Sequence, residues 1–345
     1  MSNAETITSA INGSLSVIEQ EREREIISRR FGLSGHKETL EQIGEMLSIT
    51  RERVRQLEKA ILIRLRIAAS DNKITELGAA EKLIIRNLTE TGRIARVADL
   101  AQKIFGDNLT STQRAELNFL ATISSALTVI NENDKYHNAV GIAEYGDEKS
   151  IRQKVDQVVA VIKENKSPMT IDELDARFNY EHPSHIEAVA RVSKLLSTLG
   201  GLWGLSKWPT VNPRNIRDKI FVVLEDKKEP MHFADIAKAI KSSDFKRKDV
   251  TIQAIHNELI KDHRFVLIGR GIYALDNWGF EKGTVSDIIA KVLAKADGPL
   301  NREEIVKQVL NSRKVKETTI LLNLQNKTLF TRVGKSSYKL AKEAK

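Results

Sequence analysis

Residues 39–66 read TLEQIGEMLSITRERVRQLEKAILIRLR, and this stretch spells two helices joined by a tight turn. Thr39-Leu40-Glu41-Gln42 is a capping box: the Thr39 hydroxyl takes the Gln42 amide, and the Gln42 side chain reaches back to the Thr39 amide. A short helix then carries Leu40, Ile43 and Leu47. Ser48-Ile49 makes the turn, and Thr50 caps a second helix that runs from Arg51 to about Ala69. Val54, Leu57 and Ile61 fall at i, i+3 and i+7, so their face turns inward. Gly44 is small where the two helices cross. The opposite face carries Arg51, Glu52, Arg55 and Gln56, close to the end of the helix that enters the major groove in helix-turn-helix proteins. Arg can pair bidentately with guanine, Gln with adenine, and Glu can accept from cytosine N4. Six basic residues stand against two acids in 50–66, so positive charge is local although residues 1–72 are neutral in sum.

Working outward, Glu21 to Phe31 reads as a helix with Ile26, Ile27 and Phe31 on its apolar side, stopped by Gly32. The first 20 residues are rich in Ser, Thr and Asn and weakly patterned, which predicts a mobile arm. The segment Glu21–Arg66 closely resembles region 4 of the sigma-70 family. TRERVRQLE, Thr50–Glu58, and REREIISRRFGL, Arg22–Leu33, carry the resemblance. In that family region 4 reads the promoter −35 element and docks on the flap of the RNA polymerase β subunit. The resemblance implies that Arg51, Glu52, Arg55 and Gln56 face the bases. It places Thr39, Leu40, Arg53 and Lys59 near backbone phosphate, and Ile26, Ile27 and Phe31 on or beneath the flap-binding surface. Two departures stand out. Ile63 is apolar where the family is polar, which hints at an extra packing partner. Nothing resembles the promoter-melting region 2, so a complete initiation factor is not implied.

Beyond residue 75 a pattern recurs. Apolar-periodic helices at Ala79–Leu88, Ile151–Ile162, Ile216–Leu224 and Val285–Leu293 open four units. In three of them a polar turn follows, around Pro168, Pro230 and Pro299, spaced 62 and 69 residues apart. Second helices follow at Ile171–Phe178, Phe233–Ile240 and Arg302–Leu310, and third helices at Ile186–Leu199, Val250–Lys261 and Glu317–Asn326. β-like pairs close the units at Leu127–Ile142, Leu202–Trp208, Phe265–Leu275 and Leu329–Leu340, the last two turning at Gly269-Arg270-Gly271 and Gly334-Lys335-Ser336. Three helices and a hairpin describe a winged helix. Trp208–Pro213 reads as a stiff linker. Residues 214–278, with HFADIA at 232–237 and the GRGIYAL hairpin, resemble the HARE-HTH domain. That winged helix occurs in the RNA polymerase delta subunit and in chromatin- and restriction-associated proteins. The expected fold class is therefore mainly α. An arm at 1–20 leads into a region-4-like helix-turn-helix at 21–72. Winged-helix units follow at 75–148, 149–208, 209–278 and 279–345, four in tandem with three as the fallback.

Composition narrows the function. The 345 residues carry a net charge of +9, concentrated at 279–345, where 14 basic residues face 7 acids, while 73–148 is acidic with 8 against 11. A basic end favours a polyanion, and Arg270 and Lys335 at the hairpin turns suit phosphate contacts. There is no cysteine, hence no disulfide framework and no thiolate zinc site. His232, His256 and His263 lack metal-ligand spacing. Trp203, Trp208, Tyr273 and Trp278 read as hairpin packing. No phosphate loop, nucleophile elbow or dinucleotide fingerprint is present, so no enzymatic activity, cofactor, metal or small-molecule substrate is expected. No stretch is long and apolar enough for a membrane span, and no secretory signal opens the chain. The expectation is a cytoplasmic, nucleoid-associated regulator that binds double-stranded DNA and RNA polymerase core. Two alternatives stay open: a polymerase-docking accessory protein with non-specific DNA contacts, and a DNA-modification or restriction accessory protein.

Overall fold

A computed structural model describes residues 2–341 except 108 and 179. The last four residues of the expected unit 279–345 therefore lie outside it. Two units are formed, residues 1–207 and 208–345. The first opens with α1 (Asn3–Ser16), α2 (Glu21–Phe31), α3 (Leu40–Met46) and α4 (Arg51–Ser70). A repeating element order follows. The first copy is α5 (Leu77–Glu90), β1 (Ile94–Arg96), α6 (Val97–Phe105), α7 (Ser111–Ile123), β2 (Leu127–Ile130) and β3 (Ala139–Ile142). The second is α8 (Glu148–Asn165), β4 (Met169–Thr170), α9 (Ile171–Phe178), α10 (His185–Val192), β5 (Leu196–Leu199) and β6 (Leu202–Leu205). In the other unit the third copy is α11 (Ile216–Lys227), β7 (Met231–His232), α12 (Phe233–Ser242), α13 (Ile252–Lys261), β8 (Phe265–Gly269) and β9 (Ile272–Leu275). The fourth is α14 (Val285–Lys295), β10 (Leu300–Asn301), α15 (Arg302–Ser312), α16 (Glu317–Leu324), β11 (Phe330–Arg332) and β12 (Ser337–Leu340).

Each copy makes one antiparallel three-stranded sheet in which the last strand lies between the other two. The first strand is only two or three residues long and pairs solely with that last strand, as Met169 does with Trp203 and Met231 with Tyr273. Trp203 and Tyr273 are buried, and Trp278 packs against Val266, Ile268 and Ala274.

The N-terminus is not a mobile arm. Ser2 and Glu5 form a capping box on α1, and Ile7, Ala10, Ile11 and Ser14 bury one face of it. These residues fall at i, i+3, i+4 and i+7, a helical stripe muted by its alanine and serine. α1 packs into a core shared with α2 (Ile27), α4 (Ile61, Leu65, Ala68), α5, α6 and α7 (Leu117, Phe119, Leu120). Residues 21–72 and 75–148 were expected as separate domains, and they share this core instead. A second backbone seam joins the first two copies. His137 N–H donates to the Val192 carbonyl and Lys194 N–H to the Lys135 carbonyl, both at 2.8 Å. Two histidines reinforce the seam: His185 Nδ1 lies 2.7 Å from the Gly92 carbonyl and His182 Nε2 2.8 Å from that of Thr89. Copies three and four are joined in a similar way. Lys314 N–H donates to the Ile268 carbonyl at 2.9 Å, and the buried Arg313 guanidinium donates to the Leu267 carbonyl at 2.7 Å.

Two smaller expectations are corrected. The third helix of the second copy stops at Val192, and Leu196–Leu199 is a strand turning at Gly200 and Gly201, both at positive φ. The pair thus spans 196–205 rather than 202–208. Trp208–Pro213 is not an extended linker either. Pro209 sits in a turn closed by the Asn212 amide on the Trp208 carbonyl at 3.1 Å, and Val211 is buried.

Candidate nucleic-acid interface

The helix-turn-helix is built from a small core of Ile26, Ile43 and Val54, each fully buried, with Leu40, Leu47, Ile49 and Leu57 packed against it. The turn is tight. Ile49 N–H donates to the Gly44 carbonyl at 2.9 Å, Ser48 takes a left-handed φ of 53°, and a Cβ on Gly44 would sit 2.7 Å from the Ile49 carbonyl oxygen. Arg22 braces the same turn from α2, its guanidinium donating to the Leu47 carbonyl at 2.6 Å. Sequence reasoning missed that role, because the partner is a carbonyl and leaves no side-chain pattern. Thr50 caps α4, accepting from the Arg53 amide.

The first two turns of α4 present one exposed, interlocked face. Side chains of Arg51, Glu52 and Arg55 are 68 %, 57 % and 56 % exposed. Glu52 accepts two hydrogen bonds from Arg55, at 2.8 and 2.6 Å, and a long one from Gln56 at 3.4 Å. The Arg55 guanidinium holds the Glu52 carboxyl below the usual carboxylate range, so it is an acceptor at neutral pH. Glu52 in turn fixes the Arg55 fork without burying it. Arg51 lies 3.9 Å from Glu41 at the start of α3. The arrangement puts the Arg55 N–H groups that Glu52 leaves free, the Arg51 guanidinium, a carboxylate and an amide on one ridge, group types able to pair with base edges.

The residues expected near phosphate divide. Arg53 and Lys59 are exposed on α4 beside that ridge. Thr39 is exposed and closes the capping box with Gln42, its hydroxyl keeping a free proton. Leu40 packs its side chain into the small core, so only its backbone N–H at the start of α3 is available. Arg270 and Lys335 are exposed at the β8–β9 and β11–β12 turns of the other unit. The latter turn is clasped by Arg332, which donates to the carbonyls of Gly334 and Lys335.

Of the three residues expected on or beneath a flap-contact surface, two lie beneath it and Phe31 is half-buried. Ile26 and Ile27 are fully buried, and Phe31 meets the Phe119 ring of α7 edge-on, centroids 5.1 Å apart. Ile26 holds the helix-turn-helix core, while Ile27 and Phe31 belong to the larger core that α7 closes. Ile63 also differs from expectation. It is 46 % exposed, and the extra packing of α4 comes through Ile61, Leu65 and Ala68 on the other side.

Comparison with known proteins matches the family model for sigma-70, region 4, to residues 20–66. Residues 20–66 are therefore similar to sigma-70 region 4. RNA polymerase sigma factor SigA1 of Synechococcus elongatus is 48 % identical over 46 residues, covering 13 % of this chain and 12 % of the relative. SigA of Microcystis aeruginosa is 48 % identical over 46 residues, 13 % and 11 %. SigB of Arabidopsis thaliana is 38 % identical over 61 residues, 17 % and 11 %. The chain thus spans about one eighth or less of these relatives' length. Region 4 here is fused to α1, α5 and α7 through one core rather than standing alone.

The described residues contain no cluster able to hold a metal ion and no helix long and apolar enough to cross a membrane. His232 caps α12 and lies beside the Phe233 ring, which in turn meets the His256 ring.

Proposed function

We propose that the chain is a DNA-binding transcription regulator whose region 4 segment reads a promoter −35-like element in the major groove. Arg51, Glu52, Arg55 and Gln56 read base edges, and Thr39, the Leu40 amide, Arg53 and Lys59 hold the flanking phosphates. One observation carries the reading: the ridge of Arg51, Glu52, Arg55 and Gln56 at the start of α4 is left exposed, while Val54, Ile61, Leu65 and Ala68 of the same helix are buried in the two cores that hold it. The four repeats are winged helices on this reading, supported by their helix–strand–helix–helix–hairpin order and shared strand order. Residues 214–278 are then of HARE-HTH type, and Arg270 and Lys335 are wing contacts to phosphate. Action is by occupancy and recruitment, or blocking, of RNA polymerase in the cytoplasm, without a chemical step. Ile27 and Phe31 are engaged by α7, so a flap contact through them requires α7 to leave. Duplex reading therefore ranks ahead of flap docking.

The test is binding of the full chain to a duplex carrying a −35 element and to a scrambled one across a salt series. A preference of about tenfold, worth roughly 1.4 kcal/mol, is expected, and Arg55→Ala with Gln56→Ala should abolish it. Equal binding with a steep salt slope would reduce the contact to phosphates and favour an accessory role on polymerase. A preference set by methylation of the duplex would point to a restriction or modification accessory.

A further inference from the structure

Between α12 and α13 the third copy carries a short loop, Ser243 to Thr251, with Lys246, Arg247 and Lys248 at its crest. All three are exposed, and the loop is nevertheless fixed. Phe245 on one side and Val250 on the other are buried at 6 % and 9 % exposure. Arg247 sits at a left-handed φ of 57°, a conformation that L residues rarely adopt. Lys219 of α11 holds it there. That lysine is only 4 % exposed, and its ammonium donates to the Arg247 carbonyl at 2.7 Å.

This arrangement runs against what stability alone asks. A buried lysine is costly, and here burial and the neighbouring Arg247 charge both disfavour its protonated form. Several other cations of the unit are matched by acids: Arg264 by Asp218 and Asp262, Lys238 by Asp235, Lys282 by Asp276, Lys291 by Glu281. Lys246, Arg247 and Lys248 make no ion pair among the described residues, although Asp244 and Asp249 flank them in sequence. The crest leads straight into α13, whose N-terminus adds partial positive charge. The first exposed polar side chains of α13, Gln253 and Asn257, are amides hydrogen-bonded to each other at 3.0 Å.

We propose that Lys246, Arg247 and Lys248 are a phosphate clamp for double-stranded nucleic acid, with Lys219 as the positioning residue beneath it. Three unpaired cations on a rigid turn beside a helix N-terminus match a row of phosphates, and the adjoining amides are groups that can meet base edges. An amphipathic helix with a broad apolar face, which a membrane surface requires, is absent from the loop. The choice of duplex nucleic acid rests on the proposed reading by α4; the clamp stands on its own geometry.

The experiment uses the full chain and the same −35 and scrambled duplexes. Lys246→Ala, Arg247→Ala and Lys248→Ala together should weaken both duplexes by at least tenfold at moderate salt. The slope of log affinity against log salt should fall by about 2–3, since each phosphate contact contributes about 0.9. The ratio between the two duplexes should not change. Arg55→Ala with Gln56→Ala should do the reverse, losing the ratio and keeping most of the slope, so failure of α4 reading and failure of the clamp give different results. Lys219→Met keeps the length of the side chain, removes the donor, and should reduce the slope partway. An unchanged affinity and slope in the triple variant overturns the clamp. So does a triple variant that keeps its duplex binding and instead loses binding to phosphatidylserine vesicles or to a polyglutamate peptide.

Discussion

Phe119→Ala tests whether region 4 is a module or part of a larger body. Phe119 lies on α7, fully buried, its ring edge-on to Phe31 of α2 at 5.1 Å. It shares a core with Ile27 of α2, Ile61 and Leu65 of α4, and Ile7 and Ile11 of α1. Removing a buried phenylalanine costs about 3–5 kcal/mol, including the cavity it leaves and the aromatic pair. For a cooperative unit of roughly 200 residues that is a drop in melting temperature of about 6–20 °C, at about 2–4 °C per kcal/mol. The decisive assay is amide hydrogen exchange read peptide by peptide. If the core is shared, peptides from α2 and the second half of α4 lose protection together with those from α5 and α7, and by a similar free energy. If α7 peptides loosen while α2 and α4 keep wild-type protection, region 4 is independently stable and the shared-core argument fails. A calorimetric scan in which a separate region 4 transition stays in place would refute it equally.

Two further outcomes follow from local geometry. Gly44→Ala puts a Cβ 2.7 Å from the Ile49 carbonyl oxygen and should destabilise by about 1–3 kcal/mol despite alanine's better helix propensity, with duplex affinity falling as the turn opens; thermal melting and a binding titration read both. His185 is held below its ordinary value of 6.5, chiefly by burial, with Lys154, Arg93 and His182 adding positive charge, against which the Gly92 carbonyl bond pulls upward. The unfolded chain therefore takes up the proton first, so this stability is whole above about pH 6.5 and drains as pH falls toward the lowered folded value. His185→Gln should flatten the fall in melting temperature between about pH 7.5 and pH 5.5, leaving the part due to His137, which burial also lowers. An identical pH slope in the variant would remove His185 from the account.

Much of this architecture is legible in sequence because it is written locally. Capping residues Thr39 and Thr50 sit where helices begin, and the apolar spacing of Val54, Leu57 and Ile61 fixes which face of α4 is turned inward. What escaped was written at a distance or in small residues. α1 hides because Ala10 and Ser14 occupy half of its buried stripe. β5 hides because Val192, Leu195 and Leu196 keep a helical rhythm up to the glycines at 200 and 201. Strands of two residues exist only because a hairpin comes to meet them. The contact between Phe31 and Phe119 has no local signature at all.

The same distinction explains why the two faces of region 4 fared differently. The ridge proposed to read bases is specified by four residues on two adjacent turns of one helix, and nothing elsewhere in the described chain covers it. The apolar face of α2 needs a lid, and sequence resemblance assigns that lid to a partner. In this chain α7 supplies it from within. α4 then joins two parts of the unit with a single 20-residue helix, whose first turns face outward while Ile61, Leu65 and Ala68 anchor its far end in the shared core. A shift of α7 would bear on those anchors directly, and a rigid helix transmits displacement to its other end. On that geometry any partner that competes for Ile27 and Phe31 must first displace α7, and in doing so it would disturb the seating of the helix proposed to read DNA. On the proposed function, docking through that face and DNA reading by α4 would be coupled, and a partner there should change duplex affinity rather than leave it untouched.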